Sequence, residues 1–268
     1  MADREIVHVD LADHVLTITM DRPEARNALS QQMISELGAA FGRLDEDIDC
    51  WVAILQAEGP TFCAGADLKE ALQARSGADD RAPSAPSGER RPARGLSIMN
   101  RRKKPVIACV EGHAYAGGLE ILLACDLIVA STSAQFALAE VKRGLLAVGG
   151  GLFRLPRRVP HNVAMEMFLT GEPKPAQFMF EHGFVNRLTE PGAARDAARE
   201  LALQIAANSP VAVQAALEVA GTADAEGWTD DEGWAGQREA FQRVQSSEDL
   251  IEGLRAFSEK RPPQWKGR

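Results

Sequence analysis

No apolar run in the 268-residue chain reaches the ~18 residues that a membrane-crossing helix needs. The first residues, Met1-Ala2-Asp3-Arg4-Glu5, lack the apolar stretch of a secretory signal. These two absences exclude a helical membrane protein and predict one that stays in the cytoplasm. Cysteine is scarce as well. Cys50, Cys63, Cys109 and Cys125 stand far apart with no Cys-x-x-Cys spacing, which speaks against zinc or thiol-redox motifs and predicts reduced thiols serving as small core residues. His8, His14, His113, His161 and His182 contain no His-Glu-x-x-His, so no metal site is expected. There is no Gly-x-x-x-x-Gly-Lys-Ser/Thr, and Gly149-Gly150-Gly151 lacks Rossmann spacing, so ATP and NAD use are unsupported. Nor is there a basic excess: 30 Lys and Arg against 38 Asp and Glu leave a net charge of −8, which disfavours nucleic acid as a partner. Two local basic runs, Arg101-Arg102-Lys103-Lys104 and Arg154 to Arg158, read either as solvated faces or as a patch for the phosphates of a nucleotide-like ligand.

What is present is ordinary for a globular protein: 45% hydrophobic and 25% charged residues, in a chain long enough for one large core or a core with an appendage. Ile6 to Val9 and Val15 to Met20 read as a hairpin, the second strand alternating Val15, Thr17 and Thr19 with Leu16, Ile18 and Met20. A helix is predicted from Ser30, with Met33, Ile34, Leu37, Phe41 and Leu44 on one face. Trp51 to Leu55 reads as a buried strand, followed by a turn and a helix from Asp67. Pro105 to Val110 repeats that order, through Glu111 to Gly117 into a helix carrying Glu120. Leu127 to Ala130 and Gln135 to Leu138 add strands, and from about residue 160 the pattern looks helical almost to the end. Residues Gln73 to Gly95, rich in Pro, Ser and Gly, read as a long flexible loop, either a pocket lid or surface slack. No repeat of fixed period stands out. The order predicts an α/β core followed by a helical extension.

Phe62-Cys63-Ala64-Gly65-Ala66-Asp67 and Ala114-Tyr115-Ala116-Gly117-Gly118-Leu119-Glu120 share one property: small side chains expose backbone at the mouth of a helix. Amide N–H groups there lack helical partners and favour negative charge, so two such turns can flank an oxyanion. The competing explanation is close packing of helix on strand. His113, inside the second turn, reads as a loop-bracing group or a ligand contact. Glu120 and Glu140 both lie in apolar or small-residue surroundings. Two carboxyls in one pocket separate their proton affinities, one acting as base and the other as acid. Salt bridges, with Lys142 and Arg143 beside Glu140, are the alternative.

Taken in order, these segments resemble the enoyl-CoA hydratase/isomerase, or crotonase, family over almost the whole chain. The matching features are Arg26-Asn27-Ala28-Leu29, Phe62 to Lys69, Ala116 to Glu120, Cys125-Asp126, Phe136 to Gly144, Leu169-Thr170-Gly171 and Glu259-Lys260-Arg261. The ending, Ser247-Glu248-Asp249 through Trp265-Lys266-Gly267-Arg268, and Leu152 to Pro156 are also similar to the carnitinyl-CoA dehydratase branch and related bacterial hydratases.

The resemblance implies a crotonase-like spiral of ββα turns, with residues 1–200 as core and 201–268 as a C-terminal helical region packing between subunits of a homotrimer or homohexamer. It implies oxyanion-hole amides at Ala66 and Gly117, the hydratase glutamate pair at Glu120 and Glu140, and coenzyme A contacts near Arg26, Ala28, Ala64, Asp67, Leu68 and Lys69, with Lys260 reaching from a neighbouring subunit. The implied activity is reversible hydration of an enoyl-CoA, with no separate cofactor because coenzyme A is part of the substrate. Dehydration of a carnitinyl-CoA-like thioester, double-bond isomerisation, and a non-catalytic or RNA-binding role are the alternatives within the family. Ala147 departs from the family's common proline, which bears on loop shape and acyl preference.

Overall fold

Alternating burial builds the first element. In the computed structural model, which describes residues 4–76, 99 and 102–268, β1 (Val7–Ala12) and β2 (Val15–Met20) form the expected antiparallel hairpin. Its turn residues Asp13 and His14 take positive φ, 52° and 63°, the twist that two-residue hairpin turns favour. Ser30 caps α1 (Gln31–Glu46): its hydroxyl accepts from the Met33 N–H at 3.1 Å, satisfying a donor that a helix start leaves free. Met33, Leu37, Ala40, Phe41 and Leu44 form the buried face of α1.

Three ββα turns follow. The first is β3 (Val52–Ala57), β4 (Thr61–Cys63) and α2 (Leu68–Ser76); the second is β5 (Val106–Val110), β6 (His113–Tyr115) and α3 (Gly117–Leu122). The third is β7 (Leu127–Ser131) and β8 (Gln135–Ala137), leading through a 3-10 turn at Glu140–Arg143 to α4 (Gly151–Arg158). Each turn gives its first strand to one sheet and its second to another. With β9 (Lys174–Pro175) and β10 (Arg187–Thr189), the sheet orders are β1-β2-β3-β5-β7-β10 and β4-β6-β8-β9. Strands from successive turns pair in parallel in both sheets. This is the crotonase-like ββα spiral. The turns start at Val52, Val106 and Leu127, so their lengths differ and no fixed period marks the sequence.

The six-stranded sheet is covered on both faces, which is why its parallel strands are continuous apolar runs. Leu16, Ala53, Leu55, Val106 and Ala108 share a cluster with the buried face of α1. Val15, Val52, Ile54, Ile107 and Val129 meet Ala194, Ala198 and Ala202 of α7 (Ala194–Ala206). Because α7 lies on the sheet, it runs across the division drawn at residue 200. Beyond it come α8 (Pro210–Glu226), α9 (Asp230–Gln245) and α10 (Glu248–Glu259). The chain end returns to them. Buried Asp249 accepts from the Ser209 hydroxyl at 2.9 Å and the Lys266 N–H at 2.8 Å, while Trp265 Nε1 donates to the Ala207 carbonyl at 2.8 Å.

Several expectations change. The stretch after residue 160 is not purely helical, since β9 separates α5 (His161–Thr170) from α6 (Ala176–Glu181), and β10 adds to the large sheet beside β7. Strands of two and three residues are too short to show a period. Of the loop expected from Gln73 to Gly95, residues 73–76 belong to α2 instead, and 77–95 lie outside the described residues. Two residues of the first basic run are turned inward rather than solvated. The Arg102 side chain is 8% exposed and pairs with Asp126 at 2.6 Å, and Lys104, 6% exposed, donates to the Asp47 carbonyl at 2.7 Å. All four cysteines are buried; burial pushes the Cys63, Cys109 and Cys125 thiols up to about 12 and Cys50 up to about 11. No described helix is long and apolar enough to cross a membrane.

The second turn of the spiral depends on a missing side chain. A Cβ on Gly118 would lie 2.3 Å from the Cys63 carbonyl oxygen. Gly118→Ala is therefore expected to cost about 3 kcal/mol, the upper end of ordinary overpacking. Gly221→Ala in α8, where a Cβ meets nothing within 4 Å, is expected to stabilise by about 0.5–1 kcal/mol. Urea unfolding of the two variants checks the contrast.

Candidate active site

Backbone hydrogen bonds stitch the first glycine turn to the segment before α1. The Ala64 N–H donates to the Arg26 carbonyl at 3.1 Å, the Leu29 N–H to the Gly65 carbonyl at 2.8 Å, and the Asp67 N–H to the Leu29 carbonyl at 3.3 Å. Fully buried Asn27 braces the same corner: its amide donates to the carbonyls of Glu58 and Thr61 at 2.9 and 2.8 Å and its oxygen accepts from the Arg22 N–H at 2.8 Å. Arg26 and Asn27 both take the left-handed conformation, φ 54° and 51°. Such a φ is uncommon outside glycine, and Asn tolerates it better than most residues.

The second turn lies directly against the first. A Cβ on Gly65 (φ 91°) would stand 2.7 Å from the Ala116 Cβ and 3.0 Å from the Gly117 N, and one on Gly117 would be 3.7 Å from the Ala66 N. Glycine at 65 and 117 thus lets two backbones meet. Ala66 is exposed, Gly117 opens α3, and among the described residues neither N–H has an acceptor. Two unclaimed donors on adjoining turns are what an oxyanion requires.

Glu120 lies within α3 and is 6% exposed. Its Oε1 accepts from the Gly149 N–H at 2.7 Å and the Gly151 N–H at 2.9 Å. Hydrogen bonds to a charged group contribute about 1.5–3 kcal/mol each, so the carboxylate is firmly placed. Parallel pairing of β6 with β8, Tyr115 opposite Ala137, sets the turn bearing Glu140 alongside α3. Glu140 is half-buried, and its Oε2 is sealed from solvent with no hydrogen-bond partner. Burial raises its pKa above the usual carboxylate range; its own backbone N–H opposes this, and the negative charge of Glu120 adds to it. The salt-bridge alternative for Glu140 is not realised among the described residues. Lys142 pairs with Glu172 at 2.7 Å instead.

The remaining candidates divide. Arg26, Leu68 and Lys69 are exposed, Ala28 is buried and Ala64 half-buried. Asp67 is already engaged: it pairs with Arg22 at 2.8 Å and accepts from the Lys69 and Glu70 N–H groups, capping α2. The Arg22 hydrogen bond holds its carboxyl below the usual range. Lys260 stands at the left-handed end of α10, with its N–H on the Phe257 carbonyl, and no described hydrogen bond or salt bridge joins it to the turns. His113 belongs to β6 and stacks on Tyr115, ring centroids 5.4 Å apart. No three His, Cys, Asp or Glu side chains among the described residues form a metal-holding group. Sequence reasoning missed Asn27 and the Gly149-Gly150-Gly151 clamp on Glu120. The run of three glycines is the available signal, although its spacing fits no nucleotide loop.

Comparison with known proteins shows the family. The family model for enoyl-CoA hydratase/isomerase matches residues 10–268. The chain is 41% identical over 265 residues to a carnitinyl-CoA dehydratase of Proteus mirabilis, covering 98% of both proteins. It is 39% identical over 269 residues to the enoyl-CoA hydratase EchA19 of Mycobacterium tuberculosis, covering 97% of this chain and 96% of that one. Among solved structures, an enoyl-CoA hydratase from Mycobacterium tuberculosis H37Rv superposes with a TM-score of 0.88 at 43% identity, covering 99% of this chain and all of that one. A probable enoyl-CoA hydratase/isomerase from Mycobacterium abscessus gives a TM-score of 0.87 at 44% identity, again covering 99% of this chain and 100% of the other.

The environment of Glu140 carries a pH signature. Its folded pKa lies above the ordinary value of 4.5, so its contribution to stability is fully present below that value and is lost as pH rises through the folded pKa. Glu140→Gln removes this loss. The melting temperature of the variant relative to the parent is expected to increase from pH 4.5 to pH 8; a constant difference across that range would overturn the assignment.

Proposed function

The chain belongs to the enoyl-CoA hydratase/isomerase family, and from that premise we propose that it adds water reversibly across the α,β double bond of an enoyl-CoA thioester. The observation that carries the reading is the difference between two neighbouring carboxyls: Glu120 with one oxygen held by two amides, and Glu140 with a raised pKa and a sealed, unpartnered oxygen. Two such environments suit a base and an acid in one pocket.

The reaction follows as a balanced scheme. The N–H groups of Ala66 and Gly117 hold the thioester oxygen as it gains charge. Ionised Glu120 takes a proton from water while the water oxygen bonds to the β-carbon. Protonated Glu140 delivers its proton to the α-carbon, and the electrons of the double bond form the new C–H bond. The two carboxyls then exchange a proton before the next turnover. Run backward, the same steps dehydrate a hydroxyacyl-CoA, and likeness to carnitinyl-CoA dehydratases favours testing that direction too. Coenzyme A enters as the carrier half of the substrate. Arg26 and Lys69 offer exposed positive charge for its phosphates, Ala28, Ala64 and Leu68 shape the adjoining wall, and Asp67 fixes the start of α2 beneath it.

A homotrimer or homohexamer belongs to the same proposal. Trp234 and Phe241 on α9 and Ile251, Leu254 and Phe257 on α10 are 56–86% exposed, an apolar surface of the kind that subunits cover. Lys260, at the end of α10, then reaches a neighbouring subunit's site. Light scattering is expected to return three or six times the mass of one chain.

Crotonyl-CoA hydration, followed by loss of conjugated-thioester absorbance, tests the activity. Glu120→Gln and Glu140→Gln are each expected to lower kcat by about 100-fold to 10,000-fold, the range of acid–base catalysis. Parent-like rates in both variants would sink the two-carboxyl scheme, and a panel of enoyl- and hydroxyacyl-CoA esters fixes the acyl group and the favoured direction.

A further inference from the structure

We propose that Gly149 and Gly151 are positioning residues for Glu120, tying down Oε1 so that Oε2 is the oxygen that meets the reacting water. The identity of that water rests on the hydratase reading above; the clamp itself rests on geometry alone. Oε1 receives two N–H donors, at 2.7 and 2.9 Å, which use both of its in-plane lone pairs. No described donor reaches Oε2, and it is not among the polar atoms sealed from solvent. The carboxylate therefore has one structural oxygen and one working oxygen.

Glycine at each of the three positions has a different physical basis. A Cβ on Gly149 would stand 2.6 Å from Oε2 and 2.9 Å from the carboxyl carbon, so any side chain there pushes the working oxygen aside. Gly150 has φ 108°, which strains any L side chain, and its conformation turns the flanking amides toward one point. A Cβ on Gly151 would be 3.1 Å from Oε1 and 3.0 Å from Leu138 Cδ1, a tighter fit than usual but one that a small shift relieves. The clamp also sits where α4 begins, and its positive end favours the carboxylate. Gly149 is thus the most sensitive position and Gly151 the more tolerant one.

A double-mutant cycle on the full chain tests this. Gly149→Ala is expected to lower kcat about 100-fold with KM within about 3-fold, as a misplaced catalytic group does. In the Glu120→Gln background the same change is expected to lower the residual kcat by less than about 3-fold, because its effect passes through that carboxylate. Equal losses in both backgrounds, or a rise in KM that accounts for the loss, would overturn the proposal. An arm independent of activity follows amide hydrogen exchange in Glu120→Ala. Exchange at residues 149–151 is expected to rise at least about 10-fold while residues 52–57 stay protected; unchanged exchange at 149–151 overturns the clamp. If the parent hydrates no enoyl-CoA, the hydratase reading fails and the exchange arm alone decides the clamp.

Discussion

The Cys63 carbonyl oxygen occupies the space where a side chain on Gly118 would begin, 2.3 Å from the Cβ position. That steric exclusion lets β4 run directly onto α3, and the site follows from it in steps. Gly65 comes within reach of Ala116 and Gly117, which sets the Ala66 and Gly117 N–H groups on adjoining turns. Glu120, two residues after Gly118, is thereby fixed in depth as well as direction. Parallel pairing of β6 with β8 then brings the turn carrying Glu140 alongside. A bulkier residue at 118 would act on every one of these relations at once, which no single side-chain contact in the site does.

On that scaffold the two glutamates diverge because their surroundings differ, not because their chemistry does. Glu120 is the more buried of the two and has two backbone donors on Oε1. Glu140 is less enclosed, but one oxygen has no donor and a second negative charge lies nearby. The protonated form is favoured at Glu140, where burial outweighs the one backbone N–H that opposes it. Depth alone therefore describes neither carboxyl, because the donors and charges around them differ as well.

Local chemistry made much of this legible from the chain. The hairpin alternation of Val15 to Met20, the helix start near Ser30 and the apolar face of α1 each needed only neighbouring residues, and each appears in the structure. The ββα spiral was legible through resemblance rather than period, because its turns differ in length. What was hidden depends on distant partners. Arg102 and Lys104 look like a solvated charge run until Asp126 and the Asp47 carbonyl are in place around them. Asn27 reads as one residue of a motif, yet its three hydrogen bonds reach Arg22, Glu58 and Thr61. The three glycines at 149–151 gave a clear signal with no indication of what they surround.

The loop between Glu140 and α4 joins the two glutamates. At one end the Leu145 N–H donates to the Glu140 carbonyl at 3.1 Å; at the other, the Gly149 and Gly151 N–H groups hold Glu120. Ala147 stands where the resembling family commonly has proline, so a fixed φ does not stiffen the middle of this segment. Its shape instead comes from the two glutamate anchors and the positive φ of Gly144 and Gly150. Between those anchors lie Leu145, Leu146 and Val148, 48%, 63% and 83% exposed. The loop that presents these apolar side chains is therefore held by the same residues proposed to move protons. A change that shifts either glutamate therefore acts on the loop as well, so the two carboxyls and the apolar side chains between them form one mechanical unit.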